Sequence, residues 1–280
     1  MSKNKLPNYL ILLVLLGLLM VACGDNPTST SLPVTPTALL QNPRTSVSTI
    51  IDDTSLASGK THCGDISYYV PPKLDANGKI ISPIYTAIGA SDTVGTGSTN
   101  PRADSWTVQL DKLLPQNYQF VRLGIGGITL HEANQCLLAK AIASQPNLVT
   151  DWNVVNDIVR NVSMADYKTD LANFLQQLTS QTTAKIFIGN VPNLNSLPFV
   201  VRILGDKFDL DKLTTDWNNL IAQEVAKYPG RAFVVDLQTD LSTFKQHPEW
   251  IYNDGLHPTT AGYTQLAQSF YAQILANKGI

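Results

Sequence analysis

Five short apolar segments alternate with amphipathic segments over residues 83–280, and this alternation constrains the fold more than any other sequence feature. The strand candidates lie at 84–88, 120–123, 148–155, 185–188 and 232–237. Between them, apolar residues recur three or four positions apart, which is typical of amphipathic helices. Strands that alternate with helices form a parallel sheet with right-handed crossovers and helices on both faces. We therefore expect one α/β domain over 83–280, with a five-stranded parallel sheet in a three-layer α/β/α arrangement.

A serine follows the first strand candidate almost directly, after Gly89 and Ala90. Ser91 would then lie at the carboxyl edge of the sheet, where open α/β sheets bind their ligands. Its backbone N–H would lie near a helix N-terminus, which favours negative charge. A nucleophilic serine requires both features, but the same position also suits a serine that only caps a helix. This stretch alone does not decide between the two functions.

Three further stretches carry side chains or backbone groups that a serine nucleophile could use. Asp254 and His257 lie three residues apart in one turn, so the carboxylate could orient the imidazole as a general base. The glycine-rich stretch after the second strand, which contains Gly127, could bring backbone N–H groups close to an oxyanion. Asn156 could point its amide into the same crevice. Each has a plainer interpretation: a chance surface pair, a flexible turn and a turn-forming residue.

Taken together in this order and spacing, the four stretches resemble the GDSL or SGNH hydrolase family. Ser91 matches the serine of the first family block, Gly127 the glycine of the second, and Asn156 the asparagine of the third. Asp254 and His257 match the fifth block, Asp-x-x-His-Pro. The segment 189–192, Gly-Asn-Val-Pro, fits a strand end that is common in the family. The resemblance extends from about residue 84 to residue 280, and it implies a flavodoxin-like sheet.

The resemblance implies a role for each matching residue. Ser91 would attack an acyl carbonyl, His257 would accept and return its proton, and Asp254 would orient His257. The N–H groups of Ser91 and Gly127 and the side-chain amide of Asn156 would bind the oxyanion. No metal or cofactor is implied. The expected substrate is a small-molecule, lipid or carbohydrate acyl ester.

Two positions depart from the family pattern. Ala90 stands where the first block has aspartate, and Val154-Val155 replaces the glycine before the third-block asparagine. Neither change removes a group that does chemistry. The α/β-hydrolase fold, an alternative for a serine esterase, would require a Gly-x-Ser-x-Gly elbow, which the sequence around Ser91 lacks. A non-catalytic ligand-binding lipoprotein on the same fold is the competing function, because fold alone does not determine activity.

Other histidines and acidic residues receive structural interpretations. His131 and Glu132 are expected to open a solvated helix rather than line the site. His247 also precedes a proline but has no aspartate three residues before it, so we expect a surface role.

The N-terminal 60 residues predict export and a membrane anchor. Residues 1–22 combine Lys3 and Lys5 with a short apolar run, as a lipoprotein signal peptide does. The sequence at 19–23, Leu-Met-Val-Ala-Cys, resembles a lipobox, in which Cys23 becomes the lipid-bearing first residue. Ordinary secretion or an uncleaved anchor are the alternatives. Residues 23–60 are rich in Ser, Thr and Pro and predict a tether. The expected location is the extracytoplasmic face of the cell membrane.

Residues 61–82 predict an N-terminal extension with a hairpin, in which 68–70 and 79–81 flank a turn at 75–78. Cys63 and Cys136 remain once Cys23 is assigned. Disulfides persist in exported proteins, so a Cys63–Cys136 bond and two separate thiols are both open.

The formal net charge of −2 and the lack of a basic run give no sign of a surface that binds nucleic acid. We expect a monomer.

Overall fold

The computed structural model describes residues 63–280, and their central element is a five-stranded sheet. The strands are β1 (Ile84–Gly89), β2 (Gln119–Gly124), β3 (Leu148–Trp152), β4 (Lys185–Gly189) and β5 (Ala232–Val235). Every neighbouring pair is parallel, and the order across the sheet is β2-β1-β3-β4-β5. The predicted α/β fold with a flavodoxin-like parallel sheet is confirmed.

Helices follow the strands on both faces of the sheet. Their bounds are α1 (Ser91–Val94), α2 (Pro101–Asp104), α3 (Trp106–Leu113), α4 (Leu130–Cys136), α5 (Leu138–Ala143), α6 (Val154–Val159), α7 (Met164–Gln181), α8 (Pro198–Leu204), α9 (Leu210–Val225), α10 (Leu237–Asp240) and α11 (Thr260–Ala276). Helix α3 packs against α11, while α7 packs against α4, α5 and α9. Right-handed crossovers place these two groups on opposite faces of the sheet, which gives the three layers.

The core consists of the two sheet faces and the apolar stripes of the helices. Strand β1 is buried along its whole length, as a central parallel strand should be. On one face, the rings of Trp106 and Phe270 stack 4.4 Å apart and join α3 to α11. On the other face, Tyr167 and Trp217 join α7 to α9 with ring centroids 4.8 Å apart. These contacts pack the helices of each outer layer against one another.

Two strands end earlier than predicted. β3 ends at Trp152 instead of residue 155, and β5 ends at Val235 instead of residue 237. In each case the next residues begin a helix, α6 at Val154 and α10 at Leu237. Valine favours strands only where its side chain packs on a pleated surface, and tertiary context overrides this preference at Val154.

The predicted hairpin in the extension is wrong in its pairing. Leu74 and Ile80 form a single antiparallel bridge around the turn, and residues 68–70 form no strand. The extension instead runs along the edge strand β2: the Ser67 N–H donates to the Gly124 carbonyl at 3.1 Å, and the Lys73 N–H donates to the Gln119 side chain at 2.6 Å. It thereby covers part of an edge that would otherwise be open to pairing with another chain.

A disulfide joins Cys63 in the extension to Cys136 at the end of α4, across a sequence separation of 73 residues. In the chain-entropy account, closing a loop of this length stabilises the fold by roughly 4 kcal/mol. We expect the Cys63→Ser, Cys136→Ser double variant to lose about that much free energy of unfolding, measured in urea. Equal stability of the variant and the oxidised wild-type protein would contradict this prediction.

The predicted signal peptide at 1–22, the predicted tether at 23–60 and the predicted lipidation site Cys23 lie outside the described residues. Within residues 63–280, no helix combines the length and the apolar character that a membrane crossing requires.

Candidate active site

Ser91 is the first residue of α1 and lies just beyond the carboxyl end of β1. The chain turns there because Gly89 adopts a φ of +155°. A Cβ at Gly89 would lie 2.8 Å from the Trp152 carbonyl oxygen and closer still to Thr93, so only glycine fits at this turn. The turn presents the Ser91 hydroxyl at the edge of the sheet.

His257 reaches this hydroxyl from a loop at the other end of the sequence. Its Nε2 atom lies 2.8 Å from Ser91 Oγ, and its Nδ1 atom lies 2.6 Å from Asp254 Oδ2. The loop is closed by the Tyr252 N–H, which donates to the His257 carbonyl at 2.8 Å. Thr259, whose side chain accepts from the Gly262 N–H, then caps α11. The three predicted catalytic side chains therefore form one hydrogen-bonded chain.

The Asp254 carboxylate is held in its charged form. Burial opposes ionisation, but hydrogen bonds from the His257 ring and from the N–H groups of Leu256 and His257 outweigh it and lower the pKa of Asp254. A charged carboxylate accepts only, so it selects the His257 tautomer that carries its proton on Nδ1. Nε2 is then free to accept the proton of Ser91.

A second contact ties the turn after Ser91 to α11. The Tyr263 hydroxyl donates to the Thr96 carbonyl at 2.6 Å and lies 3.4 Å from Asp92 Oδ1. Burial raises the pKa of Asp92, while the nearby His257 acts in the opposite direction. Because Tyr263 is on the helix that follows His257, this contact fixes Ser91 and His257 relative to each other.

Asn156 lies in the first turn of α6, not directly past the third strand as predicted. It still reaches the crevice, since it lines the same pocket as Ser91. Its Nδ2 atom donates to the Ile128 carbonyl at 3.0 Å. The Asn156 amide nitrogen carries two N–H groups, and this bond uses one of them.

Gly127 lies in the segment between β2 and α4 and adopts a φ of +78°. This segment begins beside the serine turn, because the Ile125 N–H donates to the Gly89 carbonyl at 3.2 Å. Within the part of the chain that the structure describes, neither the Gly127 N–H nor the Ser91 N–H has a hydrogen-bond acceptor. Gly127 itself does not line the pocket beside Ser91.

The pocket beside Ser91 is mainly apolar. Its apolar lining residues are Trp152, Val155, Pro192, Leu197, Leu241, Phe244, Ile251, Leu256 and Pro258. Val155, Pro192, Leu256 and Pro258 fall within the motif stretches, and Trp152 falls within the third strand candidate. The other four were not predicted, because they come from short segments between strands that show no helical or strand periodicity.

His131 and His247 lie outside this pocket, as predicted. The His131 side chain is 58% exposed and bonds to Asp170. His247 pairs with Glu249 at 2.9 Å and stacks on Trp250. Glu132 does open α4, but its side chain is only 20% exposed and binds Arg160 at 2.6 Å, so it is less solvated than predicted.

Known proteins resemble this chain in sequence profile and in fold. Residues 87–265 match the sequence profile of the GDSL-like lipase/acylhydrolase family. No curated protein sequence matches the chain.

Solved structures with similar folds include three ester-cleaving enzymes. The family 3 carbohydrate esterase of Clostridium thermocellum is 19% identical with a TM-score of 0.54, over 69% of this chain and 96% of its own. An acetylxylan esterase from Geobacillus stearothermophilus is 18% identical with a TM-score of 0.53, over 69% and 94%. The lipase/acylhydrolase of Enterococcus faecalis is 15% identical with a TM-score of 0.55, over 69% and 96%. At these identities the likeness is one of fold.

Proposed function

The chain belongs to the GDSL-like lipase/acylhydrolase family, and on this premise we propose that it is a serine esterase that acts through an acyl-enzyme on Ser91. One observation carries the proposal: Ser91 Oγ lies 2.8 Å from His257 Nε2, and His257 Nδ1 lies 2.6 Å from Asp254 Oδ2. These are the distances at which a serine, a base and an orienting carboxylate act as one unit.

In the first half of the reaction, Ser91 Oγ attacks the ester carbonyl carbon while its proton moves to His257 Nε2. The charge on the former carbonyl oxygen is stabilised by the N–H groups of Ser91 and Gly127 and by the amide of Asn156. When the intermediate collapses, the bond to the alcohol oxygen breaks and His257 gives that oxygen its proton.

In the second half, water attacks the acyl carbon and its proton moves to His257 Nε2. A second tetrahedral intermediate collapses, the bond to Ser91 Oγ breaks, and His257 returns the proton to Ser91. The carboxylic acid leaves. Asp254 stays ionised throughout and stabilises the imidazolium in both halves.

The apolar lining of the pocket supports an ester with an apolar chain. Burying one methylene group contributes about 0.8 kcal/mol, which corresponds to roughly a fourfold gain in kcat/KM for each carbon that the pocket holds. We therefore expect kcat/KM for 4-nitrophenyl esters to rise from acetyl to a chain of intermediate length. Phe244→Ala, which enlarges the pocket, should move the optimum to a longer chain. A maximum at acetyl in both proteins would contradict an apolar-chain substrate.

Substitutions of Asn156 test the proposed oxyanion site. Removing one donor of this kind typically costs about 2.7–4 kcal/mol, or a hundred- to a thousand-fold in kcat. We expect Asn156→Ala to show that loss with KM little changed, since the oxyanion exists only during the reaction. Asn156→Asp should do no better, because a carboxylate repels the developing charge.

Asn134→Ala is the matched control for this prediction. The Asn134 amide also donates to a backbone carbonyl, that of Asp170 at 3.0 Å, but it lies outside the pocket. We expect kcat to change little in this variant. Near-normal kcat in Asn156→Asp would count against the oxyanion role of Asn156.

We also propose that the enzyme is a lipoprotein anchored through Cys23 on the extracytoplasmic face of the membrane. The lipobox-like sequence at 19–23 supports the anchor, and the Cys63–Cys136 disulfide supports an oxidising compartment. We expect mass spectrometry of the mature protein to find a lipid-modified Cys23 as the first residue. Cys23→Ser should abolish the modification, and an unmodified N-terminus downstream of Cys23 would refute the anchor.

A further inference from the structure

Gly126 and Gly127, whose shared peptide carries the Gly127 N–H, have no side chains to pack, although Ile125 and Ile128 on either side are buried. A Cβ placed on Gly126 or on Gly127 would meet no atom within 4 Å. Glycines in open space have wide conformational freedom, and an oxyanion donor must be held in one orientation before the reaction begins. Contacts from other residues must therefore help to fix the two glycines.

Arg160, which directly follows α6, bonds to the segment. Its Nη1 atom donates to the Gly127 carbonyl at 3.1 Å. The same guanidinium binds the Glu132 carboxylate with two bonds, Nη1 to Oε2 at 2.6 Å and Nη2 to Oε1 at 3.0 Å. This two-pronged pairing fixes the plane of the guanidinium, which a single contact would leave free to rotate.

Glu132 in turn holds the end of the segment. Its Oε2 atom accepts from the Thr129 N–H at 2.8 Å, and the Thr129 hydroxyl accepts from the Glu132 N–H, which together form a capping box. Arg160 and Glu132 therefore connect the Gly127 carbonyl at one end of the segment to the start of α4 at the other.

Two side chains of α6 bond to Ile128 and to Leu130. Asn156 donates to the Ile128 carbonyl at 3.0 Å, and Asp157 accepts from the Leu130 N–H at 3.0 Å. Four consecutive residues, 127–130, are thus each bonded by a side chain. Of these bonds, only the one from Arg160 reaches Gly127 itself.

We propose that Arg160 is a positioning residue of the esterase: by binding the Gly127 carbonyl it anchors the Gly127 Cα, from which the Gly127 N–H is directed toward the oxyanion. The inference rests on the proposed function and adds to it a residue that touches neither the substrate nor the reacting atoms. Fixing the Gly127 carbonyl restricts the ψ angle of Gly127 and the position of its Cα, so the Gly127 N–H, which lies in the preceding peptide, can reorient only about φ of Gly127 and ψ of Gly126. The bonds at Ile128 and Thr129 restrict the residues that follow.

The experiment measures kcat, KM and boronic acid binding in Arg160→Ala. A boronic acid forms a tetrahedral adduct with the serine and engages the oxyanion site, whereas the substrate in its ground state does not. We expect kcat to fall about ten- to a hundred-fold with KM little changed, as for an interaction made only in the transition state. The dissociation constant of the boronic acid should rise by a similar factor.

A second variant and an external cation distinguish the effect of the guanidinium geometry of Arg160 from the effect of its charge. Lysine keeps the positive charge of Arg160 but loses the rigid fork, so Arg160→Lys should recover only part of kcat. Free guanidinium at millimolar concentration should restore part of the kcat of Arg160→Ala, because it can bind Glu132 and the Gly127 carbonyl together. Lys212→Ala is the control, since it removes a charged pair with Asp216 on α9, away from the segment. Its kcat should not change, and guanidinium should not raise it.

The possible results distinguish this inference from the esterase proposal. A folded Arg160→Ala enzyme with unchanged kcat and boronic acid affinity would overturn the inference and leave the esterase intact. A lower melting temperature with unchanged kcat would also overturn it, because Arg160 would then serve stability alone. A raised KM with unchanged kcat would assign Arg160 to substrate binding instead. A wild-type protein without esterase activity would defeat the proposed function itself, and the inference with it.

Discussion

Ser91→Ala is expected to lower kcat for ester hydrolysis by roughly a million-fold, to a small residual rate. The variant removes the hydroxyl oxygen that lies 2.8 Å from His257 Nε2 and would accept the acyl group. The N–H groups of the oxyanion site remain, so some hydrolysis above the rate in water should persist. Progress curves on the best 4-nitrophenyl ester measure the effect, and circular dichroism checks the fold.

Ser98→Ala is the matched control for this variant. Ser98 lies in the same turn region, and its hydroxyl donates to the Gly95 carbonyl at 2.7 Å. Because its hydroxyl bonds to this carbonyl and not to the His257 ring, its loss should leave kcat almost unchanged. Substantial hydrolysis by Ser91→Ala would contradict the assignment of the nucleophile.

Asp254→Asn is expected to lower kcat by about ten-thousand-fold while the fold stays intact. An amide at this position can present its N–H₂ group to His257 Nδ1, which then favours the tautomer with the proton on Nε2. That tautomer cannot accept the Ser91 proton. The imidazolium formed in the reaction also loses its neighbouring negative charge.

The chain offers a matched control in a second histidine–carboxylate pair. His247 Nδ1 lies 2.9 Å from Glu249 Oε1 at the surface, and no serine among residues 63–280 bonds to its other nitrogen. Glu249→Gln removes the same kind of contact, and we expect it to leave kcat unchanged. Equal losses in Asp254→Asn and Glu249→Gln would mean that kcat responds to surface charge and not to the orientation of His257.

Two departures from the family pattern have local consequences in this fold. Ala90 is fully buried and is the residue before α1, where it makes no side-chain cap. An aspartate in an N-cap position can accept hydrogen bonds from the first N–H groups of a helix. With alanine at position 90, the first N–H groups of α1 have no such side-chain acceptor. Val155, at the second departure, lines the pocket and adds to its apolar surface.

The sequence predicted the sheet and the catalytic side chains because local patterns determine both. Buried parallel strands are short apolar runs, and their carboxyl ends place Ser91 at the ligand edge. Asp254 and His257 are three residues apart, so a single turn brings them into contact wherever that turn lies.

Long-range contacts explain what the sequence did not predict. Val154 and Val155 favour a strand locally, yet they begin α6 because tertiary packing overrides that preference. Arg160 belongs to none of the sequence motifs. Its proposed positioning role depends on bonds to Gly127 and Glu132, which lie about thirty residues earlier in the chain. Phe244 lines the pocket from a 3-10 helix that carries no periodic pattern.

The most direct test of the esterase mechanism is mass spectrometry of the wild-type protein after treatment with a serine-reactive alkyl phosphonate. We predict one phosphonyl group per chain, attached to Ser91, with loss of hydrolysis in proportion to labelling. His257→Ala should label far more slowly, because Ser91 then lacks its base. A label on another residue, or a fully labelled Ser91 in a protein that still hydrolyses esters, would contradict the account. A protein that takes up no label and turns over no ester would be a binding protein on this fold.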